Sequence, residues 1–301
     1  MQEVLTNNTL ISVCMITYKH EAYIRDAIKG VLMQKGDFDL ELIVADDCSP
    51  DRTPMILDEI QKTHSRGYCI RYIRHEKNLG IIPNFIWTLE QAKGHFIALC
   101  EGDDYWTDPD KLQKQINFLS AHTEYNLCGH YVSKLKHTSI QHPDEEGLMN
   151  HDFFWDDYIY KYPPVPMASI VYRNNLTMPH WMKEVYGGDR AILFLNAQKG
   201  TVRQMDFNGG VYRVHDGGIE QKYKKDKTSL PLRNIKEEKL YLKVLEKRSH
   251  KLVKLSKILW NYMYLLYWCI RGLKPSLAFV SLAGILKYSA LYVQYFIFYH
   301  K

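Results

Sequence analysis

Closely spaced cysteines are absent from this sequence. It has six cysteines in 301 residues, none of them forms a C-x-x-C pair, and several stand inside apolar runs. A disulfide framework and a structural zinc site both need cysteines at short, regular spacings, so the sequence disfavours both. The six side chains are expected to be reduced thiols in the core of a cytosolic domain.

The sequence also lacks a signal peptide, an internal repeat and a low-complexity tract. Its first residues have neither the basic start nor the apolar core that a secretory signal needs. With 46% hydrophobic residues the chain is not disordered, and it can form one large α/β domain, alone or with a small appendage. The net charge of +5 is unevenly distributed, because Lys and Arg are concentrated in the last third.

Three apolar runs without alternation predict parallel strands that are buried on both faces. They cover residues 10–18, 40–45 and 95–100. Apolar residues at helical spacing follow the first run, so the first two runs and the helix between them form a βαβ unit. Further elements predicted by the same patterns are helices near 53–63, 83–92 and 109–121 and strands over 68–74 and 125–133.

Acidic or turn-forming residues follow these strands where each one ends. Asp46 and Asp47 follow the second run, Asn78-Leu79-Gly80 form a turn after the next strand, and Asp103-Asp104 follow the last run. In an open α/β sheet, ligands bind beyond the carboxyl ends of the strands, so these residues are expected to face one crevice. Adjacent carboxylates repel each other, and a divalent metal that holds a diphosphate would neutralise them. The alternative is a solvated Asp-Asp turn before a helix, but the convergence of three such ends favours a ligand site.

Five short motifs give the sequence a resemblance to a known family. The motifs that stand in the order and spacing of family 2 glycosyltransferases are Thr17-Tyr18, residues 44–51 (VADDCSPD), Asn78-Leu79-Gly80, Ala92-Lys93-Gly94 and Glu101-Gly102-Asp103-Asp104. The resemblance covers residues 10–130, and residues 104–115 are similar to a bacterial subgroup that decorates surface polysaccharide. It implies the GT-A fold, an α/β fold with a mostly parallel central sheet and flanking helices, here with a C-terminal helical tail.

The resemblance also implies a binding site for the base of a nucleotide sugar. Tyr18 would stack on the base and Thr17 would help to seat it, while Asp47, or in second place Asp46, would accept a hydrogen bond from a base N–H. Uracil and thymine both offer this donor at N3, which favours a UDP or dTDP sugar. The nucleotide-binding residues are completed by Asn78 and Gly80.

The acid pair would bind the rest of the donor. By the resemblance, Asp103 would contact the ribose or the sugar, and Asp104 would coordinate Mg²⁺ or Mn²⁺ that bridges the diphosphate. Many family members carry an Arg-Asn pair in the helix after the Asn-x-Gly turn, and this sequence has Phe85 and Ile86 there. The diphosphate contact commonly attributed to that arginine is therefore not expected from this position.

Two later residues have a structural and a functional interpretation. Asp189 follows a glycine pair and precedes an apolar helix, so it is either an N-cap or, as the resemblance implies, the catalytic carboxylate. His215 follows a strand and, by spacing alone, is structural or exposed. The resemblance gives it a role near the metal and the leaving diphosphate, because it ends a Tyr-Arg-x-His pattern that precedes glycines.

Two stretches between these motifs are less informative. Residues 130–150 are polar, and their histidines stand at spacings that match no metal-ligand pattern, so a surface loop is predicted there. Residues 153–172 are dense in aromatic side chains and interrupted by prolines. They form either a wall of the acceptor site or an irregular part of the core.

The last third of the chain is basic and then aromatic. Residues 222–257 contain thirteen Lys or Arg and four Asp or Glu, a local net charge of +9, and residues 276–299 have Lys287 as their sole charge. As a helix, this second segment is long enough to span a bilayer. Lys287 and the many Tyr and Trp side chains favour helices that lie in the interface of an anionic cytoplasmic leaflet. Because the basic charge runs directly into this segment, a nucleic-acid partner is disfavoured.

The sequence therefore predicts a GT-A domain in residues 1–220, with a nucleotide-binding half near 1–105 and an acceptor half near 106–220, and a membrane-associating tail in residues 221–301. The predicted activity is metal-dependent, inverting transfer of a sugar from a nucleotide donor to a glycan or lipid-linked acceptor. The predicted location is the cytoplasmic face of the inner membrane, peripheral or monotopic. The alternative is a non-catalytic nucleotide-sugar-binding or scaffold protein of a membrane glycan-assembly complex.

Overall fold

The computed structural model describes residues 9–218 and 226–297, which divide into two compact units. Within these residues, the first unit comprises the chain up to Tyr158, Tyr162–Lys183 and Gly187–Val214. The second comprises Ile159–Lys161, Glu184–Tyr186 and the chain from His215 onward. The predicted boundary between residues 220 and 221 lies outside the described residues, and the two units meet in sequence at Val214 and His215.

The first unit is built on a sheet that has ten strands in the described part of the chain. The strands are β1 (Leu10–Thr17), β2 (Asp39–Asp46), β3 (Ile70–Arg74), β4 (Phe96–Leu99), β5 (Tyr105–Trp106), β6 (Tyr125–Lys136), β7 (Ser139–Gln141), β8 (His151–Phe153), β9 (Val171–Arg173) and β10 (Thr201–Val214). Their order is β3-β2-β1-β4-β9-β6-β10-β5, with β7 paired to β6 and β8 to β10.

The first four strands pair in parallel, as predicted, and so do β6 and β10. Four shorter strands, β5, β7, β8 and β9, pair in the antiparallel direction. The predicted α/β fold is confirmed. The sheet is mixed beyond its first four strands because these short segments, none longer than three residues, fill its second half.

Residues 9–218 form six α-helices: α1 (Ile24–Leu32), α2 (Thr53–Thr63), α3 (Ile81–Glu90), α4 (Lys111–Ala121), α5 (Trp155–Tyr160) and α6 (Gly188–Ala197). The helical spacing of apolar residues in α1 puts Ile28 and Val31 into one buried cluster with Val13 and Met15 of β1. Helices such as α1 cover the sheet, so β1 needs apolar residues at nearly every position. This coverage explains the apolar runs without alternation.

The strand register brings the predicted site residues to one edge of the sheet. β1 pairs with β2 as far as Thr17 and Asp46, and with β4 as far as Cys14 and Leu99. Because these three strands are parallel, the segments that follow them leave the sheet on the same side. The crevice predicted from the sequence therefore lies beyond β1, β2 and β4.

Some element boundaries differ from the prediction. The strand predicted to begin at Tyr68 begins at Ile70, because Tyr68 lies in a short 3₁₀ turn with its side chain exposed. β6 continues to Lys136, so the loop predicted from residue 130 onward is wrong at its start. His130 is fully buried in this strand, and burial lowers the pKa of its imidazole well below the usual range.

The second unit consists mainly of three helices in its described part: α7 (Ser229–Val244), α8 (Arg248–Arg271) and α9 (Pro275–Ile297). Its buried cluster includes Ile235 of α7, Leu265 of α8 and Tyr288 of α9. Gly284 of α9 lies so close to the Tyr262 ring that a Cβ there would be 2.4 Å from a ring carbon. The predicted helical character of the tail is confirmed.

Candidate donor-binding and catalytic site

The end of β2 and the Asn78-Leu79-Gly80 turn form one structure. The two carboxylate oxygens of Asp47 accept the backbone N–H groups of Leu79 and Gly80, at 2.6 and 2.9 Å. In return, the side-chain amide of Asn78 donates to the backbone carbonyl of Asp47 at 3.0 Å. These three hydrogen bonds, all of them to Asp47, join two motifs that are distant in the sequence.

Gly80 is required by the backbone at this turn. Its φ of +89° lies in the region that favours glycine, and it is the N-cap residue of α3. The contact of Asp47 with a nucleobase stays a prediction, and each of its carboxylate oxygens has a second acceptor position beside the turn hydrogen bond.

Asp46 has a structural role in the same loop. Its side chain is fully buried and accepts hydrogen bonds from the Ser49 amide at 2.8 Å and from the Tyr72 hydroxyl at 2.9 Å. Burial and the charge of Asp46 raise the pKa of the Tyr72 hydroxyl. Both oxygens of Asp46 and both oxygens of Asp47 are thus hydrogen-bonded within the fold, and both side chains are buried, so the choice of Asp47 as the partner of a base N–H stays a prediction.

The loops after β1 and β2 are held together in strained conformations. Lys19 and Cys48 have φ values of 61° and 62°, in the left-handed region that few non-glycine residues adopt. The Lys19 amide donates to the Ser49 hydroxyl at 3.0 Å, which links the two loops. Such strain costs about 1–3 kcal/mol per residue and is concentrated at functional sites in folded proteins. The strained residues Lys19 and Cys48 therefore favour a functional role for this edge of the sheet.

Thr17 and Tyr18 lie at the end of β1 beside these loops. The Thr17 carbonyl accepts the Asp47 amide at 2.9 Å, and its buried hydroxyl has no hydrogen-bond partner among the described residues. A Cβ on Gly102 would be 2.8 Å from that hydroxyl oxygen, so the glycine permits the close approach. The Tyr18 side chain is half-exposed, and the Lys19 ammonium lies 5.1 Å from its ring centre. A buried hydroxyl without a partner and an accessible aromatic ring at the end of the same strand suit a polar, planar ligand.

The Asp103-Asp104 pair follows β4 and is unevenly buried. Asp104 is buried, and one of its oxygens accepts the Arg213 amide at 2.9 Å, whereas the Asp103 side chain is about one fifth exposed at 22%. Burial and then the charge of Asp103 raise the pKa of the Asp104 carboxyl well above its usual range, although Arg213 opposes this rise. A cation bound at this pair would relieve the repulsion.

Glu101 completes an acidic cluster at this edge. Its carboxyl has a pKa raised well above the usual range, first by burial and then by the negative charges of Asp103, Asp104 and Asp189. The charge of Asp189 contributes least of the three, and this residue is almost ninety positions away from Glu101 in the sequence. The sequence analysis quoted Glu101 in its motif but gave it no role. Its position directly after a buried strand was the available signal.

The cluster fits a cation that the substrate helps to bind. Among residues 9–218 and 226–297, no three His, Cys, Asp or Glu side chains form a metal-binding group by themselves. Mg²⁺ is usually held by one or two carboxylates together with phosphate oxygens of a substrate, and Asp103 and Asp104 can supply those carboxylates. Hard oxygen ligands of this kind suit Mg²⁺ or Mn²⁺.

Asp189 lies in the first turn of α6 and does not cap it. The N-cap residue is Gly187, with no side-chain capping hydrogen bond, so the interpretation of Asp189 as an N-cap is wrong. Asp189 stands two positions further along the chain. Its carboxylate stands in the first turn, where a negative charge is favourable to the helix dipole without being a cap.

Phe85, which stands where many relatives have arginine, contacts the loop that carries Asp189. The ring is buried against Gly188, where a Cβ would be 2.4 Å from a Phe85 ring carbon. An apolar side chain thus fills this place and packs directly beneath the residue before Asp189.

His215 belongs to the second unit, immediately after β10. Its carbonyl accepts the Gly218 amide at 3.0 Å, which closes a turn. Its assignment as a metal ligand stays a prediction from the resemblance.

Comparison with known proteins identifies the family. The model of the family described as glycosyl transferase family 2 matches residues 12–174, more than half of the chain. The chain belongs to glycosyltransferase family 2. The match includes all five motifs from Thr17 to Asp104, four of which build the edge described above. It ends before Asp189 and His215.

Two relatives and one solved structure extend the comparison. An uncharacterized protein of Mycobacterium tuberculosis is 33% identical over 209 residues, which are 69% of this chain and 60% of the relative, so the chain spans less than two thirds of that protein. TuaG of Bacillus subtilis, named as a candidate glycosyltransferase of teichuronic acid biosynthesis, is 36% identical over 110 residues, 36% of this chain and 42% of TuaG. A mannosyltransferase from Pyrobaculum calidifontis, solved with GDP-Man and Mn²⁺, shares the fold with a TM-score of 0.58 at 14% identity, over 95% of this chain and 84% of that chain.

The Phe85–Gly188 contact gives a stability prediction. Gly188→Ala should lower the free energy of unfolding by about 1–3 kcal/mol, because the new methyl group overpacks against the ring. Phe85→Leu should also lower the free energy of unfolding. The loss in the double variant should be smaller than the sum of the two single losses, by at least about 0.5 kcal/mol. Urea denaturation of the four proteins measures this coupling.

Gly147→Ala is the matched control for this experiment. The nearest heavy atom to a Cβ at Gly147 is 3.8 Å away, so this variant should be close to wild type. Strictly additive effects of Gly188→Ala and Phe85→Leu would contradict the packing described here.

Proposed function

We propose that the protein transfers a sugar from a nucleoside diphosphate donor to an acceptor hydroxyl, with inversion at the anomeric carbon, in the synthesis of a bacterial surface glycan. The observation that carries this proposal is the Asp103-Asp104 pair after β4, at the sheet edge where the parallel strands β1 and β2 also end. Family membership supports glycosyl transfer, and the likeness to TuaG supports a surface polymer as product.

The donor base would bind at the ends of β1 and β2. Tyr18 would stack on the ring, the unpartnered Thr17 hydroxyl would hydrogen-bond to it, and Asp47 would accept the N3–H of uracil or thymine. The Asn78 and Gly80 turn, held by Asp47, would line the same pocket. The mannosyltransferase was solved with a guanine nucleotide, so UDP, dTDP and GDP are compared directly in the experiments below.

The diphosphate would lie over the acid pair. Asp103 would contact the ribose or the sugar, and Asp104 would hold Mg²⁺ or Mn²⁺. When bound, the metal supplies positive charge that stabilises the departing diphosphate. The need for such a charge follows from the chain itself, because Asp103 and Asp104 would otherwise repel the phosphates.

Asp189 would act as the general base. It would take the proton of the acceptor hydroxyl, whose oxygen forms a bond to the anomeric carbon as the bond from that carbon to the diphosphate oxygen breaks. The electron pair of the broken bond leaves on the diphosphate, and attack from the opposite side inverts the configuration. The carboxylate is available for this role because it does not cap α6.

The first prediction for this function concerns Asp189. Wild-type protein should release nucleoside diphosphate from at least one member of a panel of nucleotide sugars when an acceptor is present. Asp189→Asn should lower kcat by about 10² to 10⁴, because it removes a general base, while the affinity for the nucleotide stays near wild type. Asp58→Asn, a surface carboxylate of α2 paired with Lys62, is the control and should leave kcat unchanged.

Near-normal turnover in Asp189→Asn would rule out this base. Retention of anomeric configuration in the product, seen by NMR, would rule out inversion. A wild-type protein that binds nucleotide sugars and releases no nucleotide from any of them would favour the non-catalytic alternative.

The tail would hold the protein at the cytoplasmic face of the inner membrane, near a lipid-linked acceptor. In the described part of the chain, α9 is the helix that is long and apolar enough to cross a membrane. Its outward stripe includes Phe279, Leu286 and Val293, each at least half exposed, and Trp260 and Ile270 are exposed on α8. Apolar stripes of this kind insert into the boundary between headgroups and acyl chains.

Charged side chains on α7 and α8 favour a position of α9 in the plane of the membrane. Lys239 of α7 donates to the Tyr262 hydroxyl at 2.7 Å, and Lys254 of α8 is buried in an ion pair with Glu238 of α7 at 2.9 Å. If α9 spanned the bilayer, these charges would enter it with the helices that carry them, at about 2.5–3.5 kcal/mol each. An interfacial position avoids this cost, and it uses the basic charge of residues 222–257.

Vesicle binding tests this attachment. The protein should sediment with phosphatidylglycerol vesicles at low salt and be partly released at about 1 M salt, where the Debye length is about 3 Å. Phe279→Glu with Leu286→Glu should weaken sedimentation, because both side chains are exposed, and Met55→Glu on α2 should not. Protein that stays in the supernatant at low salt would contradict the membrane proposal, and protein released only by detergent would contradict the interfacial one.

A further inference from the structure

Arg213 near the end of β10 is attached to the acid pair from both sides. Its backbone N–H donates to a carboxylate oxygen of Asp104 at 2.9 Å, and its guanidinium donates to the backbone carbonyl of Asp103 at 3.0 Å. The guanidinium also lies 4.4 Å from the centre of the Tyr105 ring. One arginine therefore contacts both Asp103, the residue before Asp104, and Tyr105, the residue after it.

The arginine is itself held rigidly. The antiparallel pairing of Val211 with Tyr105 brings the end of β10 over the acid pair. The guanidinium donates to a carboxylate oxygen of Asp26 in α1 at 2.5 Å and lies 5.3 Å from the Tyr23 ring centre, and only 10% of the side chain is exposed. A planar guanidinium can make these hydrogen bonds and ring contacts at once, which a lysine ammonium cannot.

The acid pair needs such a restraint. Two adjacent carboxylates and Glu101 stand at the end of β4, where ionised groups of the same sign repel one another. Arg213 adds a positive charge and a fixed hydrogen bond to the peptide that joins Asp103 to Asp104. Its charge therefore reduces the repulsion, and its hydrogen bond holds the peptide between the two carboxylates in place.

We infer that Arg213 is a positioning residue that fixes the Asp103-Asp104 turn in the geometry needed for the metal-bound diphosphate. This inference rests on the proposed function, since it presupposes that Asp104 serves a divalent cation. Nothing in it requires the arginine to touch the donor, because its donors are directed to Asp103 and Asp26. The role differs from that of the arginine missing at position 85, which would contact the diphosphate itself.

Calorimetry with and without metal tests the inference. The probe is whichever of UDP, dTDP and GDP binds the wild-type protein most tightly, titrated in MnCl₂ and then in EDTA. Arg213→Met should weaken binding in MnCl₂ by about 10- to 100-fold, the effect of losing a residue that orients a metal ligand, and should change binding in EDTA much less. Arg213→Lys should fall between Arg213→Met and wild type, because it keeps the charge and loses the planar hydrogen bonds.

Asp26→Asn is the matched control. It removes the charge of a half-exposed partner but keeps an oxygen that accepts the hydrogen bond of Arg213, and it leaves the contacts with Asp103, Asp104 and Tyr105, so binding in MnCl₂ should stay within about threefold of wild type. This limit is well below the effect expected for Arg213→Met. Thermal unfolding of each variant separates loss of fold from loss of position, and Arg213→Lys carries the test if Arg213→Met does not fold.

The failures of the two proposals are distinguishable. If wild-type protein binds the nucleotide equally in MnCl₂ and EDTA, the metal-dependent function is contradicted. If wild-type binding depends on Mn²⁺ and folded Arg213→Met and Arg213→Lys bind like wild type, the function stands and the inference about Arg213 is wrong. Equal weakening by Arg213→Met in MnCl₂ and in EDTA would show a general structural role and would also overturn the inference.

Discussion

The repulsion among carboxylates at one edge of a parallel sheet is the constraint on which the site depends. Parallel pairing of β1 with β2 and β4 makes their ends adjacent, and the chain places Asp46, Asp47, Asp103 and Asp104 there. Two of the four are satisfied within the protein: Asp46 by Ser49 and Tyr72, and Asp47 by the turn after β3. The remaining acid pair is opposed only in part by Arg213, so the pKa of Asp104 is raised and its charged form is disfavoured; a bound cation would favour that charged form.

Close approaches that only glycine permits shape the same site. Gly102 allows the Asp103-Asp104 turn to pass within contact of Thr17, and Gly188 allows the start of α6 to rest on Phe85. The buried ring of Phe85 thus supports the start of the helix that carries Asp189 by packing.

The sequence predicted much of the fold and of the donor site, because buried parallel strands leave unmistakable apolar runs and their ends are marked by acids and turns. The β1, β2 and β4 segments and the position of Asp104 follow from that pattern. His130 was placed both in the strand predicted over 125–133 and in the loop predicted from residue 130, and the pairing of β6 with β9 and β10 decides for the strand and for burial. Glu101 and Arg213 received no role because their partners, Asp189 and Asp103, are distant in sequence. Local spacing also left the choice between a cap and a base at Asp189 open, and helix geometry decides against the cap.

A crystal structure of the protein with Mn²⁺ and its preferred nucleoside diphosphate tests the central claim most directly, because anomalous scattering locates the ion independently of the protein atoms. The account predicts an anomalous peak in direct contact with the Asp104 carboxylate and with the diphosphate, and a base that stacks on Tyr18. An ion bound away from Asp104, or a nucleotide bound at another edge of the sheet, would contradict it.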